Sequence, residues 1–439
     1  MMERIAILAG GGTLPLVLAD CIAERGGRAH IVGVRGEAAA SIESYPHTWV
    51  TWGAVNAIIA TLKRESNGQI MIAGHVSRPD IMRLKPDFGV IRYLPQVLSM
   101  LKGGDDAVLT RMVRFFETQG LKVQGVADVA PQLLANAGTF GATAEPSQQR
   151  TADCALGYQV LDTLADLDVG QAIAVEQGRI LAIEGVEGTD RMLARIANLQ
   201  GRTPGAGVLV KGPKRGQDLR VDMPTVGAQT INRLVEAQLG TLVIVAGKTL
   251  LLERAEMLRR AADAHITIEA VTREPAIPAV AAKAGQPRWG GPQLGRLTPS
   301  ASDRRDARTA ATVIQRLVPF ATGHAAVVVR DHVLAISAAE TPAAMARRVA
   351  LLRHWGRGRF QRSLGVAAIA ADAIGNGALL DMIEGLGGAG IAGVAIVNSN
   401  PVQTVNGPIP AAAIAMADRF EMFLVALGVP PAEPVTGAV

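Results

Sequence analysis

Cysteine is nearly absent: Cys21 and Cys154 are the only two in 439 residues. Two thiols in a chain of this length build neither a disulfide framework nor a CxxC metal site, and the compartment they imply is reducing and cytoplasmic. Cys21 falls among apolar residues of a predicted helix and reads as core. Aromatic residues make up 3% of the chain, and no dense Lys/Arg run is interleaved with them. Nucleic acid, which is gripped by stacking and clustered cations, is therefore not an expected partner. No uninterrupted run of about 18 apolar residues occurs, so nothing is expected to span a bilayer. The opening MMERIAILAGGG lacks the basic region and long apolar core of a signal peptide. HExxH, GxSxG and any histidine cluster are missing too, and His265 reads as a lone structural or surface residue.

Apolar residues make up 49% and charged residues 19%, the composition of a folded chain. At roughly 100–200 residues per domain the length predicts two to four domains. The net charge of +5 fits a solvated surface, or attraction to phosphates or an anionic membrane. Strand-like runs at 5–8, 30–34, 50–52, 69–73 and 123–125 alternate with helical stretches at 14–23, 55–64 and 106–119. That alternation predicts an α/β fold with a Rossmann-like open parallel sheet over 1–140. A second α/β domain is expected over 151–272: helices at 153–167, 190–199 and 228–237, with strands at 172–175, 179–183, 207–211 and 242–245. Residues 273–305, rich in Pro, Gly and Arg, read as a linker. A third α/β domain is expected over 306–429 and a disordered tail over 430–439.

The third domain reads as a worn copy of the second. Residues 169–200 overlay 322–353 without a gap, with GQAIAVEQGRILAIEGVEGTDRMLARIANL over GHAAVVVRDHVLAISAAETPAAMARRVALL. AQLGTLVIVAG (237–247) likewise matches the apolar pattern of 389–398. The overlay places Glu184 on Ser337, Gly188 on Thr341, Thr189 on Pro342 and Asp190 on Ala343, while Glu187 falls on Glu340. The apolar frame survives and most polar positions do not.

Four stretches could carry chemistry. Gly10, Gly11, Gly12, Thr13, Leu14 and Pro15 form a glycine-rich turn between a strand and a helix, where backbone N–H groups and the helix dipole suit an anion. A plain tight turn is the competing reading. Neither GxGxxG nor a Walker loop is present, which counts against a dehydrogenase. In AGHVSRPD, Gly74, His75 and Arg78 follow a strand, and Arg suits bidentate phosphate recognition; a surface Arg before a turn reads equally well. EGVEGTD places Glu184, Glu187, Gly188, Thr189 and Asp190 after a buried strand. Thr189 or Asp190 could be a helix N-cap, while carboxylates there suit Mg²⁺, Mn²⁺ or a hydroxyl-rich ligand. KGPKRGQDLRVDMPTVG gathers Lys211, Lys214, Arg215, Gln217, Asp218, Arg220, Asp222 and Thr225. Mixed cations and carboxylates after a strand fit phosphoryl chemistry, or a solvated loop with salt bridges. Asp222, between Val221 and Met223, is expected to be partly buried.

Taken in order, AGGGTLP, AGHVSRPD, GDDA (104–107), EGVEGTD and QDLRVDMPTVG resemble the LpxI family of UDP-2,3-diacylglucosamine pyrophosphatases, over residues 1–272. The resemblance implies hydrolysis of UDP-2,3-diacylglucosamine to 2,3-diacylglucosamine 1-phosphate and UMP in lipid A biosynthesis. It also implies a divalent metal, Mg²⁺ by default, and a two-domain enzyme with the lipid substrate bound between the domains. The family's essential aspartate falls on Asp222. With the residue reading, it makes Asp222 a metal ligand or general base and Asp190 a second metal candidate. Lys211 and Arg220 are expected to offset pyrophosphate charge. Gly10–Pro15, Gly74, Arg78, Glu184, Glu187, Gly188, Thr189, Gln217 and Thr225 are expected to contact substrate. The expected setting is the cytoplasm, with visits to the inner-membrane surface and a homodimer as one possible assembly. A nucleotide-sugar or lipid-binding regulator without turnover is the competing function.

Overall fold

The computed structural model describes residues 3–75, 105–142, 147–274, 292–352, 363–370, 373–398, 403–404 and 407–428. Arg78, Gly104, most of the expected linker and the tail lie outside them. The chain divides into two compact units. One holds Met1–Ala137 together with Gly216–Gly227 and Val245–Arg254; the other holds Gly138–Arg215, Ala228–Ile244 and Ala255–Val439.

In the first unit, strands β1 (Arg4–Ala9), β2 (Arg28–Val34), β3 (His47–Val50), β4 (Gln69–Ala73) and β5 (Lys122–Val123) form one sheet in the order β3-β2-β1-β4-β5. Every pair in it is parallel. A parallel sheet needs crossover helices, and helices on both faces make its strands continuously apolar rather than alternating. β1 shows this directly. Ile5, Ile7 and Ala9 pack with Leu18 and Ile22 of helix α1 (Leu14–Glu24). Ala6 and Leu8 pack on the opposite face with Ile58 and Leu62 of α2 (Val55–Glu65), and with Val113 and Phe116 of α3 (Asp105–Thr118). Each fully buried Leu or Ile contributes about 1.5–3 kcal/mol. Cys21 is buried in this core, as expected. The strand expected at 50–52 is displaced to His47–Val50, because its pairing with β2 ends at Val34–Val50 and Trp52 enters a turn.

The second unit holds two sheets. The first runs β6-β13-β11-β9-β7-β8, built from β6 (Gly138–Gly141), β7 (Ala172–Glu176), β8 (Arg179–Ile183), β9 (Gly207–Lys211), β11 (Leu239–Val245) and β13 (Thr267–Val271). Its helices are α4 (Gln148–Leu164), α5 (Thr189–Ile196), α6 (Ala228–Glu236) and α7 (Arg254–Asp263). Strand β6 pairs antiparallel with β13. It has no apolar alternation to announce it in GTFG, and sequence patterning placed no strand there. The other sheet runs β15-β14-β16-β17-β18, built from β14 (Ala325–Val329), β15 (His332–Ile336), β16 (Val366–Ala370), β17 (Gly393–Asn398) and β18 (Phe423–Gly428). Helix α8 (Ala301–Leu317) precedes it and begins inside the expected linker. Ser300 accepts the Asp303 N–H, and the Asp303 carboxylate accepts the Ser300 N–H, a capping box that fixes the start. Helices α9 (Pro342–Leu352), α10 (Asn376–Gly388) and α11 (Ala411–Arg419) complete this module.

One close approach in the first unit governs the loop after β1. Gly10 N–H donates to the Ala73 carbonyl at 2.9 Å, and Gly11 and His75 exchange backbone hydrogen bonds at 2.6 and 2.9 Å. Gly74 sits between them at φ +93°, where an added Cβ would stand 2.5 Å from the Gly11 carbonyl oxygen. Only glycine accepts both the left-handed backbone and that distance. Gly74→Ala is expected to lower stability by about 1–3 kcal/mol, the scale of a strained non-glycine backbone. An unchanged denaturation midpoint would contradict the close approach.

Candidate active site

The glycine loop is bound into the sheet edge rather than lying open throughout. The amides of Gly10 and Gly11 are engaged by Ala73 and His75, so the expected anion cradle cannot use those two. Gly12 and Thr13 are exposed. Thr13 occupies the N-cap of α1 without a side-chain capping bond, and its carbonyl accepts the Leu16 and Val17 N–H groups. Leu14 opens the helix and Pro15, buried, follows in its first turn, where a missing N–H costs nothing. Helix dipole and glycine turn thus meet at Gly12–Thr13, the part of this loop an anion can reach.

The loop carrying Asp222 also belongs to the first unit. Val221 packs against the core on one face of the parallel sheet and Met223 against the core on the other. The chain between them turns tightly, with the Val221 and Asp222 N–H groups both donating to the Asp218 carbonyl at 3.1 Å. The following strand β10 (Thr225–Val226) pairs in parallel with β12 (Leu250–Leu251). Asp222 is half-buried, as its apolar neighbours suggested. The Gln217 amide donates to its Oδ2 at 2.5 Å, which orients the carboxylate. Thr225 turns its hydroxyl back to the Met223 carbonyl at 3.0 Å and so braces the loop.

Arg220 is more constrained than the sequence suggested. Its Nε and Nη2 grip the two oxygens of Asp218 at 2.9 and 2.7 Å, and Nη1 donates to Glu117 of α3 at 2.7 Å. Asp218 holds the guanidinium well above its ordinary pKa, with Glu117 adding to the effect. The Arg220 hydrogen bonds in turn hold Asp218 below the usual carboxylate range. Any phosphate reaching Arg220 competes with both carboxylates. Glu117 was not foreseen, since only the folded sheet brings α3 to residues distant in sequence.

A separate cluster lies in the second unit. Glu184, directly after β8, is buried. Its Oε2 accepts the Gln171 N–H at 2.7 Å and its Oε1 the Thr189 hydroxyl at 2.9 Å. Lys211, at the end of β9, donates to Thr189 Oγ1 at 3.0 Å. Gly170 permits this packing, because an added Cβ there would lie 2.5 Å from the Glu184 side chain. Neither Thr189 nor Asp190 is the N-cap of α5: Gly188 is, at φ +80°. The hydroxyl of Thr189 is therefore committed to Glu184 and Lys211. Asp190 is exposed in the first helical turn, where it favours the dipole. Glu187 points elsewhere, to Arg195 at 3.2 Å and Arg348 at 3.5 Å. Lys214 is ion-paired with Asp168.

The expected metal ligands were Asp222 and Asp190, which belong to different units. Among the described residues no three His, Cys, Asp or Glu side chains gather into a cation cage. Mg²⁺ retains several waters and is typically held by one or two carboxylates with substrate phosphates. Asp222 suits that mode of binding, whereas exposed Asp190 has no such companion group in the first helical turn.

Fold and site together define an α/β protein with a Rossmann-like N-terminal unit and a carboxylate loop drawn from later in the chain. The profile of the LpxI N-terminal domain matches residues 4–133, and that of the LpxI C-terminal domain matches residues 137–269. The UDP-2,3-diacylglucosamine pyrophosphatase LpxI of Caulobacter vibrioides is 35% identical over 267 residues, covering 60% of this chain and 95% of the relative. The chain belongs to the LpxI family. Among the described residues no helix is long and apolar enough to cross a membrane.

Two measurements test these clusters. Thr189→Val removes the hydroxyl between a carboxylate and an ammonium and should cost about 1–3 kcal/mol, the penalty for buried polar groups left unpaired; equal urea midpoints would show that the cluster holds without it. For Asp218 the folded pKa is depressed, so its stabilisation is present above about pH 4 and is lost as pH falls through the depressed value. Asp218→Asn should flatten the acid limb of the stability curve, and an identical acid limb would count against the Arg220 pairing.

Proposed function

We propose that this chain hydrolyses the pyrophosphate bond of UDP-2,3-diacylglucosamine, releasing UMP and 2,3-diacylglucosamine 1-phosphate in lipid A biosynthesis. The observation that carries this reading is the ordered match of both LpxI domains, with a relative named for that activity matched over 95% of its length. The half-buried carboxylate of Asp222, oriented by Gln217, supports it.

In this reading a water oxygen bonds to one phosphorus while the bridging P–O bond breaks, and each product keeps one phosphate. Asp222 either accepts the proton of that water or holds the cation, and Gln217 fixes the carboxylate in one orientation. A divalent ion, Mg²⁺ with Mn²⁺ as a substitute, would be held by Asp222 with the substrate phosphates and would polarise the phosphoryl oxygens when bound. Gly12 and Thr13 at the α1 N-terminus offer an anion site. Lys211, steadied by Thr189, presents a cation to phosphate or sugar. Arg220 neutralises phosphate charge only by sharing its hold on Asp218 and Glu117. We place the enzyme in the cytoplasm, visiting the inner-membrane surface where its lipid substrate resides. The net charge of +5 favours an anionic surface.

Asp222→Ala is expected to reduce UMP release by at least about a hundredfold, the scale of a lost general base, while leaving the thermal transition in place. Near-normal turnover would sink the assignment. If the wild-type chain instead binds the UDP-lipid without releasing UMP in Mg²⁺ or Mn²⁺, it is a binding protein and not a hydrolase.

A further inference from the structure

The two modules of the second unit follow one plan. Each opens with a helix, α4 or α8, then a one-turn 3₁₀ segment ending in a left-handed residue, Asp168 or Ala321. Each continues into an antiparallel hairpin, β7–β8 or β14–β15. Asp153 of α4 accepts the Gln177 and Gly178 N–H groups in the first hairpin turn at 2.8 and 2.7 Å. Asp306 of α8 accepts those of Arg330 and Asp331 in the second at 2.9 and 2.8 Å. Arg195 of α5 donates to the Ile183 carbonyl at 2.7 Å, and Arg348 of α9 to the Ile336 carbonyl at 3.0 Å. The hairpin and arginine pairs coincide in the gapless overlay, and Asp153/Asp306 and Asp168/Ala321, just before it, share its offset of 153 residues.

We propose that the third module is a built-in partner of the second: the two pack against each other beside their outer strands, β8 and β15, about a local two-fold axis, giving one chain a dimer-like body and leaving it monomeric. The two strands end separate sheets. Each is met by the segment that follows the other. The Leu181 carbonyl on β8 accepts the Ala339 N–H at 3.2 Å. Its counterpart, the Leu334 carbonyl on β15, lies 2.8 Å from where a Cβ on Gly185 would stand. Val186 packs against the core of the third module.

Four half-buried charges sit at the junction. Glu187 meets Arg195 at 3.2 Å and Arg348 at 3.5 Å, and Glu340 is paired with Arg348. Burial, followed by the like charge of Arg348, presses Arg195 below its ordinary pKa, while Glu340 and Glu187 oppose the fall. Arg195 and Arg348 are equivalent positions, as are Thr163 and Arg316. The Arg316 guanidinium donates to the Thr163 carbonyl at 3.1 Å and to Asp166 at 2.9 Å. A residue that meets its own counterpart lies beside a two-fold axis, which is the mark of an isologous interface. The homodimer expected from sequence is then already present within one chain.

The full chain tests this in two ways. Light scattering should give one chain per particle, 45.8 kDa; a stable two-chain particle would overturn the proposal. Double-mutant cycles should show coupling of about fivefold or more in the unfolding equilibrium, the scale for residues in contact. The first pair is Glu187→Gln with Arg348→Gln. Asp166→Asn with Arg316→Gln provides a second cycle whose carboxylate partner is solvent-exposed, should the first variants fail to fold. Strict additivity in any cycle that can be measured would overturn the pairing.

Discussion

Asp222 is held in place by its neighbours. Val221 packs on one side of the parallel sheet's core and Met223 on the other, so a segment following β9 in sequence becomes part of the first unit in space. Fixing a loop costs about 1–2 kcal/mol per residue in backbone entropy. Two packed apolar side chains, the turn closed on the Asp218 carbonyl and the β10–β12 ladder offset that cost. A carboxylate between two buried anchors cannot swing freely, and the Gln217 amide narrows its orientation further. The rest of the loop's chemistry depends on this anchoring.

Arg220, in the same loop, carries two carboxylate partners although its side chain is 40% exposed. A bidentate Asp with a second acid fixes the guanidinium in one geometry. The same arrangement limits its strength toward phosphate. Lys211, in the other unit, donates instead to a neutral acceptor, the hydroxyl of Thr189.

Elements with one dominant physical cause were legible in the sequence. Strand β1 and helices α1 and α2 follow from continuous apolar runs and from 3.6-residue periodicity. The partial burial of Asp222 follows from Val221 and Met223. Elements made by tertiary pairing were not legible. Strand β6, in GTFG, exists because β13 offers an edge, and β10 and β12 are two-residue ladders that no local pattern announces. Glu117 reaches Arg220 only after the chain has folded. Thr189 was misread as an N-cap candidate because capping is a local rule, whereas Glu184 and Lys211 arrive from two strands. Glu187 looked like a site carboxylate by adjacency alone; Arg195 and Arg348, visible at matching overlay positions, were the signal that it belongs to the junction between modules.

The third module matches only part of what Glu184 contacts in the second. Glu184 uses Oε2 to satisfy the Gln171 N–H and Oε1 to hold Thr189. At the matching place Ser337 accepts the Ala325 N–H at 2.8 Å, one residue beyond the counterpart of Gln171, so a hydroxyl there also answers a backbone donor near the strand's start. Pro342 has no hydroxyl to present. Ala370, whose N–H donates to the His324 carbonyl as that of Gly212 does to Gln171, puts Ile369 in the place of Lys211. Both modules therefore place a side-chain acceptor on a backbone N–H near the start of the strand, whereas the contacts among Glu184 Oε1, Thr189 and Lys211 have no counterpart at Ser337, Pro342 and Ile369.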